Sequence, residues 1–183
     1  MKGELQLNLF GGLEICLDGT PVTGFRSAKC QALLSFLAVS GRPHSRPALA
    51  GLLWGDMPEP RARMNLSKTL SNLKQLVDDH LIITRPTIAF NRTAPYSLDV
   101  EIFTSALENR ETPIDKLQAA VELYRGDFLD GFYLRDALEF EEWTLTQRAR
   151  LRELALQTLH RLSLYHTQRG PAGRHAALMR MRV

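Results

Sequence analysis

The 183-residue chain is poor in the features that mark enzymes, secreted domains and membrane proteins. It has two cysteines, Cys16 and Cys30, without a CxxC pair or metal-ligand spacing, which excludes a disulfide framework. The expectation is a reduced, cytoplasmic chain with two structural thiols. No run approaches the ~18–20 consecutive apolar residues of a bilayer span, and MKGELQLNLFGG lacks the basic-then-apolar pattern of a signal peptide. GxSxG, GxxxxGK[ST] and GxGxxG are all missing, so a nucleophile elbow, a P-loop and a dinucleotide fingerprint are excluded. His44, His80, His160, His166 and His175 are scattered, none at ligand spacing beside a carboxylate. Glu139, Glu141 and Glu142 form an acidic cluster, but acids at a helix start ordinarily serve its dipole. Catalysis, metal and cofactor are therefore not expected.

Charge of one sign is also scarce. The net charge is +3, too small to announce a nucleic-acid binder. Its distribution says more. Residues 1–95 carry eleven Lys and Arg against seven Asp and Glu, whereas residues 96–183 carry twelve against thirteen. The positive excess sits in the N-terminal half, as an electrostatic footprint would.

The order of elements follows from periodicity. ELQLNLF (4–10) and LEICL (13–17) are β-rich runs around Gly11-Gly12, and Pro21-Val22 suggests a short third strand. From Ser27, a plausible N-cap, Leu33, Leu34, Leu37 and Ala38 build a helix to Gly41. A second helix follows Ser45, with Leu49, Leu52, Leu53 and Trp54 apolar and Pro47 in its first turn. A third spans about 61–78. LIIT (81–84) and TIAFN (87–91) then read as a hairpin with Pro86 in its turn. Strands, three helices and a terminal hairpin make a winged helix-turn-helix, with the hairpin as wing.

The third helix carries the functional signal. Leu66, Leu70, Leu73 and Val77 form one narrow apolar stripe. Arg61, Met64, Lys68, Asn72 and Gln75 lie opposite, flanked by Asn65 and Ser71, and no acidic residue occurs between Arg61 and Val77. A solvated helix face ordinarily mixes both signs. Asn and Gln suit adenine, Lys suits guanine and Ser is adaptable, so Asn65, Lys68, Ser71, Asn72 and Gln75 are the candidate base readers. Cations recur at the first helix start (Arg26, Ser27, Lys29), at the second (Arg42, His44, Ser45, Arg46) and on the wing (Arg85, Thr87, Arg92). With Arg61, Arg63 and Lys74 on the third helix, these are the candidate phosphate contacts, His44 being the neighbour rather than a member of that set.

Beyond Pro95 the pattern is helical throughout: 100–109, 115–124, a loop through RGDFLDGFYL, and a long helix over 136–168 ending at Gly170-Pro171. Trp54 and Trp143 lie on apolar stripes and are expected in the core. Leu154, Leu162 and Tyr165 are expected to be left uncovered on the long helix.

FRSAKCQALLSFLA (25–38), LAGLLWGD (49–56) and RARMNLSKTLSNLK (61–74) together resemble the SARP family, the Streptomyces antibiotic regulatory protein type, whose N-terminal part resembles the OmpR-type winged helix. LQAAVELYRGDFLDGF (117–132), EEW (141–143) and LRELALQTLHRL (151–162) resemble the bacterial transcriptional activator domain that follows it. The resemblance implies a mixed, mainly α chain: a winged-helix DNA-binding domain over 1–95, then an all-α, TPR-like domain over 96–183. It implies an activator that binds direct repeats at promoters and contacts RNA polymerase holoenzyme. Lys68, Ser71, Asn72 and Lys74 match the family's DNA-reading helix, and Arg26 and Lys29 its basic start to the first helix. Family members often carry arginine at positions 72 and 74, so base preference should differ here. Relatives continue with more repeat helices, some with an ATPase module, so the chain is expected to be C-terminally truncated.

The expectation is a sequence-specific transcriptional regulator that holds double-stranded DNA, touches no membrane and forms a homodimer through its helical half. The rival reading is a protein-interaction scaffold in a signalling protein, using the same modules without DNA.

Overall fold

The computed structural model describes residues 3–108 and 111–169. The expected helix end at Gly170-Pro171, His175 and the tail that suggested truncation lie outside the described residues.

The fold is mixed and mainly helical, with two small sheets. In the first sheet, β1 (Leu5–Asn8), β2 (Glu14–Leu17) and β3 (Thr20–Pro21) run antiparallel in sequence. Three helices follow: α1 (Ala28–Ser40), α2 (Arg46–Trp54) and α3 (Glu59–Val77). A two-residue strand, β4 (His44–Ser45), precedes α2 and joins the hairpin of β5 (Leu81–Ile83) and β6 (Thr87–Phe90) in the order β4-β6-β5. β7 (Tyr96–Leu98) then returns to pair in parallel with β1, giving the first sheet the order β3-β2-β1-β7. The second half holds α4 (Asp99–Glu108), α5 (Ile114–Leu123) and α6 (Leu138–Arg169).

Local chemistry accounts for the boundaries. Ser45 caps α2, its Oγ accepting from the Ala48 N–H at 3.3 Å, with Pro47 in the first turn, where a missing N–H costs nothing. α3 begins at Glu59, two residues earlier than the sequence suggested, because Pro60 also falls in a first turn and only Pro58 stands outside the helix. Gly41 ends α1 in the left-handed conformation (φ 64°) and closes its amide onto the Leu37 carbonyl.

One apolar core runs through both halves. Leu5, Leu7 and Leu9 meet Leu33, Leu34, Leu37, Leu49, Leu53, Leu66, Leu70 and Leu73, and the cluster continues into Phe103, Phe128, Phe140 and Leu151. Aromatic rings stitch the junction: Phe10 stands edge-on to Phe103 at 5.2 Å, and Trp143 on α6 packs on Phe36 of α1 at 4.9 Å and on Phe128 at 5.5 Å. Between α5 and α6 the backbone of 125–129 crosses the β1–β2 turn. Gly11 donates to the Asp127 carbonyl at 3.0 Å and Leu129 to the Leu9 carbonyl at 2.7 Å. A Cβ on Gly126 would meet the Gly11 Cα at 2.8 Å, so this crossing needs glycine on both strands. Asp99 sits beneath it, buried, and accepts from the N–H groups of Leu9, Phe10 and Val100.

The uncovered stripe on α6 differs from the expected one. Leu162 is buried, and Leu154 and Tyr165 are half-buried against α6's neighbours. Leu138, Leu145, Leu156, Leu159 and Leu164 are the exposed leucines instead. Packing on α4 and α5 turned the covered face toward Thr144, Leu151, Ala155 and Thr158.

Candidate nucleic-acid interface

The outer face of α3 is defined by what the core takes. Ala62, Leu66, Thr69, Leu70, Asn72, Leu73 and Val77 are buried. Arg61, Arg63, Met64, Ser67, Lys68, Ser71, Lys74 and Gln75 are exposed, and Asn65 is half-buried. At about 100° per residue, the exposed arc centres on Met64 and Ser71. That is about 40–50° from the direction directly opposite the Leu66, Leu70, Leu73 and Val77 stripe, which the sequence alone suggested.

Asn72 is the main correction. It is 3% exposed, and both ends of its amide are spent on the segment before α1. Its Oδ1 accepts from the Arg26 N–H at 2.9 Å, and its Nδ2 donates to the Gly24 carbonyl at 3.1 Å. A side chain so placed has nothing left for a base edge. It fixes the start of α1 against α3 instead. Asn65 is also partly withdrawn, with its Nδ2 3.4 Å from the Met57 Sδ. Lys68, Ser71 and Gln75 remain on the open face without a side-chain hydrogen bond or ion pair among the described residues.

Several expected phosphate contacts are also engaged elsewhere. Lys29 is 9% exposed; its Nζ pairs with the Asp136 carboxylate at 2.9 Å and lies 5.3 Å over the Trp54 ring. It joins the halves of the chain and offers no free charge. Arg92 on the far side of the hairpin binds Glu101 at 2.6 Å, the Tyr96 hydroxyl at 3.2 Å and the Ala38 carbonyl at 3.3 Å. Ser27 occupies the N-cap position of α1 without a capping bond; its Oγ lies 3.6 Å from the Cys30 Sγ. His44, beside the second cluster, is buried, bonded to the Ser40 Oγ at 2.8 Å and packed with its ring tilted against that of Phe36 at 4.8 Å. Burial, then the charge of Arg42, lowers its pKa below the ordinary 6.5, so it adds no cation at neutral pH.

What does come together lies on the two flanks of α3. On one side Ser45, Arg46, Arg63, Ser67, Arg85 and Pro86 line a single groove between α2, α3 and the β5–β6 turn. Arg46 braces that turn, its Nε donating to the Arg85 carbonyl and its Nη2 to the Thr84 carbonyl, both at 3.0 Å. Thr87 closes the turn through its carbonyl and hydroxyl on Thr84. The turn is thereby rigid, and the Arg85 guanidinium projects from it without an acidic partner among the described residues. On the other flank Arg26, Ser27, Asn65 and Lys68 line a second groove with Leu134 and Asp136. Arg42 is exposed but borders neither groove. Arg63 is tied to Glu59 one turn back and Lys74 lies 3.8 Å from Asp78, both exposed pairs of small energetic weight. Arg61 and Lys68 have no ion pair among the described residues.

Ser67 and Met64 belong to this face although neither was singled out as a contact. Widening the apolar stripe to include Ala62 and the small polar Thr69 would have turned the outer face toward them. Among the described residues no group of His, Cys, Asp and Glu could hold a metal ion, and no helix is long and apolar enough to cross a membrane.

No described protein-family profile matches the chain. It is 27% identical over 152 residues to the transcriptional regulatory protein EmbR of Mycobacterium bovis and of Mycobacterium tuberculosis. The alignment takes in 74% of this chain and 38% of those relatives, so the chain spans well under half their length. A solved structure of M. tuberculosis EmbR, in complex with a low affinity phosphopeptide, superposes on 98% of this chain and 49% of its own. The TM-score is 0.68 at 23% identity, a likeness of fold. The chain is thus similar to a transcriptional regulator, and the relatives are named as regulators rather than enzymes.

Proposed function

We propose that the chain is a sequence-specific DNA-binding transcriptional regulator built as a winged helix followed by a TPR-like helical half. The supporting observation is the outer face of α3, exposed and without an acidic side chain from Arg61 to Val77, bordered on both sides by grooves that carry arginine or lysine. α3 would enter the major groove, the β5–β6 turn with Arg85 would meet the adjoining backbone, and the capped start of α2 would face a phosphate.

The winged-helix unit is best drawn through Leu98 rather than to residue 95, because β7 completes the first sheet. The remainder, beginning at Asp99, would be the regulatory half. Binding of direct repeats, activation and contact with RNA polymerase holoenzyme are what the SARP resemblance implies, and the similarity to EmbR, a transcriptional regulatory protein, supports the coarser role in transcription. A homodimer through the helical half would use Leu145, Leu156 and Leu159, the exposed leucines of α6.

A gel shift on random duplex across a salt series tests the reading. Affinity should fall linearly in the log–log plot as salt rises, because phosphate contacts release counterions. A chain that binds no duplex at low salt is the interaction scaffold instead. Sedimentation of the full chain at micromolar concentration tests the dimer; a monomer there overturns it.

A further inference from the structure

We propose that Met64 sets base preference on α3, its thioether side chain packing on the 5-methyl group of a thymine. The proposal rests on the DNA-reading function above and assigns the contact that function leaves open once Asn72 is withdrawn.

A helix with its side chains is about 10–12 Å across and fills a major groove about 12 Å wide. Its outermost line therefore meets base edges, while its flanks meet the two phosphate backbones. On α3 that line is fixed by the buried Ala62, Leu66, Thr69, Leu70 and Leu73, and Met64 and Ser71, two turns apart, stand opposite. The flanks carry the charge: Arg26 beside Ser27 on one side, Arg63 with Ser45, Arg46 and Arg85 on the other. Cations on both flanks with an apolar side chain between them match a backbone–base–backbone cross-section of the groove.

The central diamond is Met64, Ser67, Lys68 and Ser71. Ser67 is spent, its hydroxyl donating to the Arg63 carbonyl at 3.0 Å. Lys68 and Ser71 are polar and suit the donors and acceptors of the groove floor. Met64 is 48% exposed, lies outside the apolar core and is the large hydrophobic side chain among the exposed residues of α3. Of the groups that bases present in the major groove, the apolar one is the thymine methyl. An unbranched, polarizable thioether can shape itself to that methyl from a helix surface.

The test selects duplexes from a random-sequence pool with the full wild-type chain and with Met64→Ala in parallel. Each thymine of the wild-type site is then replaced singly by deoxyuridine, which lacks the methyl alone. At one position uracil should weaken wild-type binding about fourfold, the weight of one buried methyl. Met64→Ala should bind the thymine site more weakly by a similar factor and ignore the uracil exchange there, while Met64→Leu keeps the discrimination. The side chain is exposed, so these variants should keep the wild-type circular dichroism. Wild-type protein that tolerates uracil at every position, or Met64→Ala that still discriminates at each one, overturns the assignment of Met64. A wild-type chain that enriches no duplex overturns the DNA-reading function itself.

Discussion

Lys29 on α1 and Asp136, two residues before α6, form a 2.9 Å ion pair that ties the helical half to the start of the first helix. The cation is nearly buried over Trp54, so it is spent before any duplex arrives. Lys29→Ala should therefore leave the log–log salt slope of DNA binding unchanged while lowering the thermal midpoint. A slope flattened by about one unit would restore Lys29 as a phosphate contact. The hydrogen bond from Lys29, ahead of every other cause, holds the Asp136 carboxyl below its ordinary 3.8. A depressed carboxyl pKa stabilises the fold above 3.8 and ceases to do so as pH falls through the folded value. The pair should thus be intact across the neutral range.

Asn72 leads to an outcome opposite to that of a base reader. Replacing it by Ala removes the partner of the Arg26 N–H and of the Gly24 carbonyl, at a cost of about 1–3 kcal/mol for groups left unsatisfied. Urea denaturation should show that loss. Duplexes selected by Asn72→Ala should carry the wild-type consensus, and a change at a single base position would return Asn72 to the reading face.

The hairpin supplies a paired comparison. Arg85 projects from the rigid β5–β6 turn, whereas Arg92 is held by Glu101, Tyr96 and Ala38. Arg85→Ala should weaken binding to specific and random duplex alike and flatten the salt slope by about one unit. Arg92→Ala should destabilise the fold and leave the slope alone. A wild-type slope for Arg85→Ala would remove the wing from the interface.

His44 gives the fold a pH dependence near neutrality. Its folded pKa lies below 6.5 through burial and then Arg42, so the unfolded chain takes up the proton first. Stability from this group is complete above 6.5 and declines as pH falls below it. The thermal midpoint of wild type should fall more between pH 7.5 and 5.5 (a range chosen to bracket the ordinary value) than that of His44→Gln. Parallel curves would show that His44 is not the group responsible.

Helix positions were legible in the sequence because leucines recur at helical spacing in 28–40, 46–54 and 59–77, with Ser45, Gly41 and Pro58 marking ends. The wing hairpin was legible from LIIT and TIAFN around Pro86. β7 was not, since Tyr96–Leu98 is too short to show alternation and its partner, β1, lies at the other end of that half. The face of α3 was read one sector off because Thr69 and Asn72 look outward-facing by type, and only tertiary contacts bury them. Lys29 failed for a similar reason: its partner Asp136 is more than a hundred residues away, beyond any local pattern. Arg26, Arg61, Lys68, Ser71, Gln75 and Arg85 stay on the open side, their side chains without a hydrogen bond or ion pair to a distant segment among the described residues.

The parallel pairing of β1 with β7 bears on how the chain emerges from the ribosome. Synthesis runs from the N-terminus, so β1 and β2 are made early, yet the partner of β1's second edge is made only after three helices and the hairpin. Phe128 then bridges back to Phe10 and Gly12 later still. Until those residues appear, Leu5, Leu7 and Leu9 have an unpaired strand edge beside them, the kind of surface that pairs wrongly with other chains. β1 is thus made well before its second edge is finished, and nascent chains halted between β2 and β7 are the ones that would need a chaperone's cover.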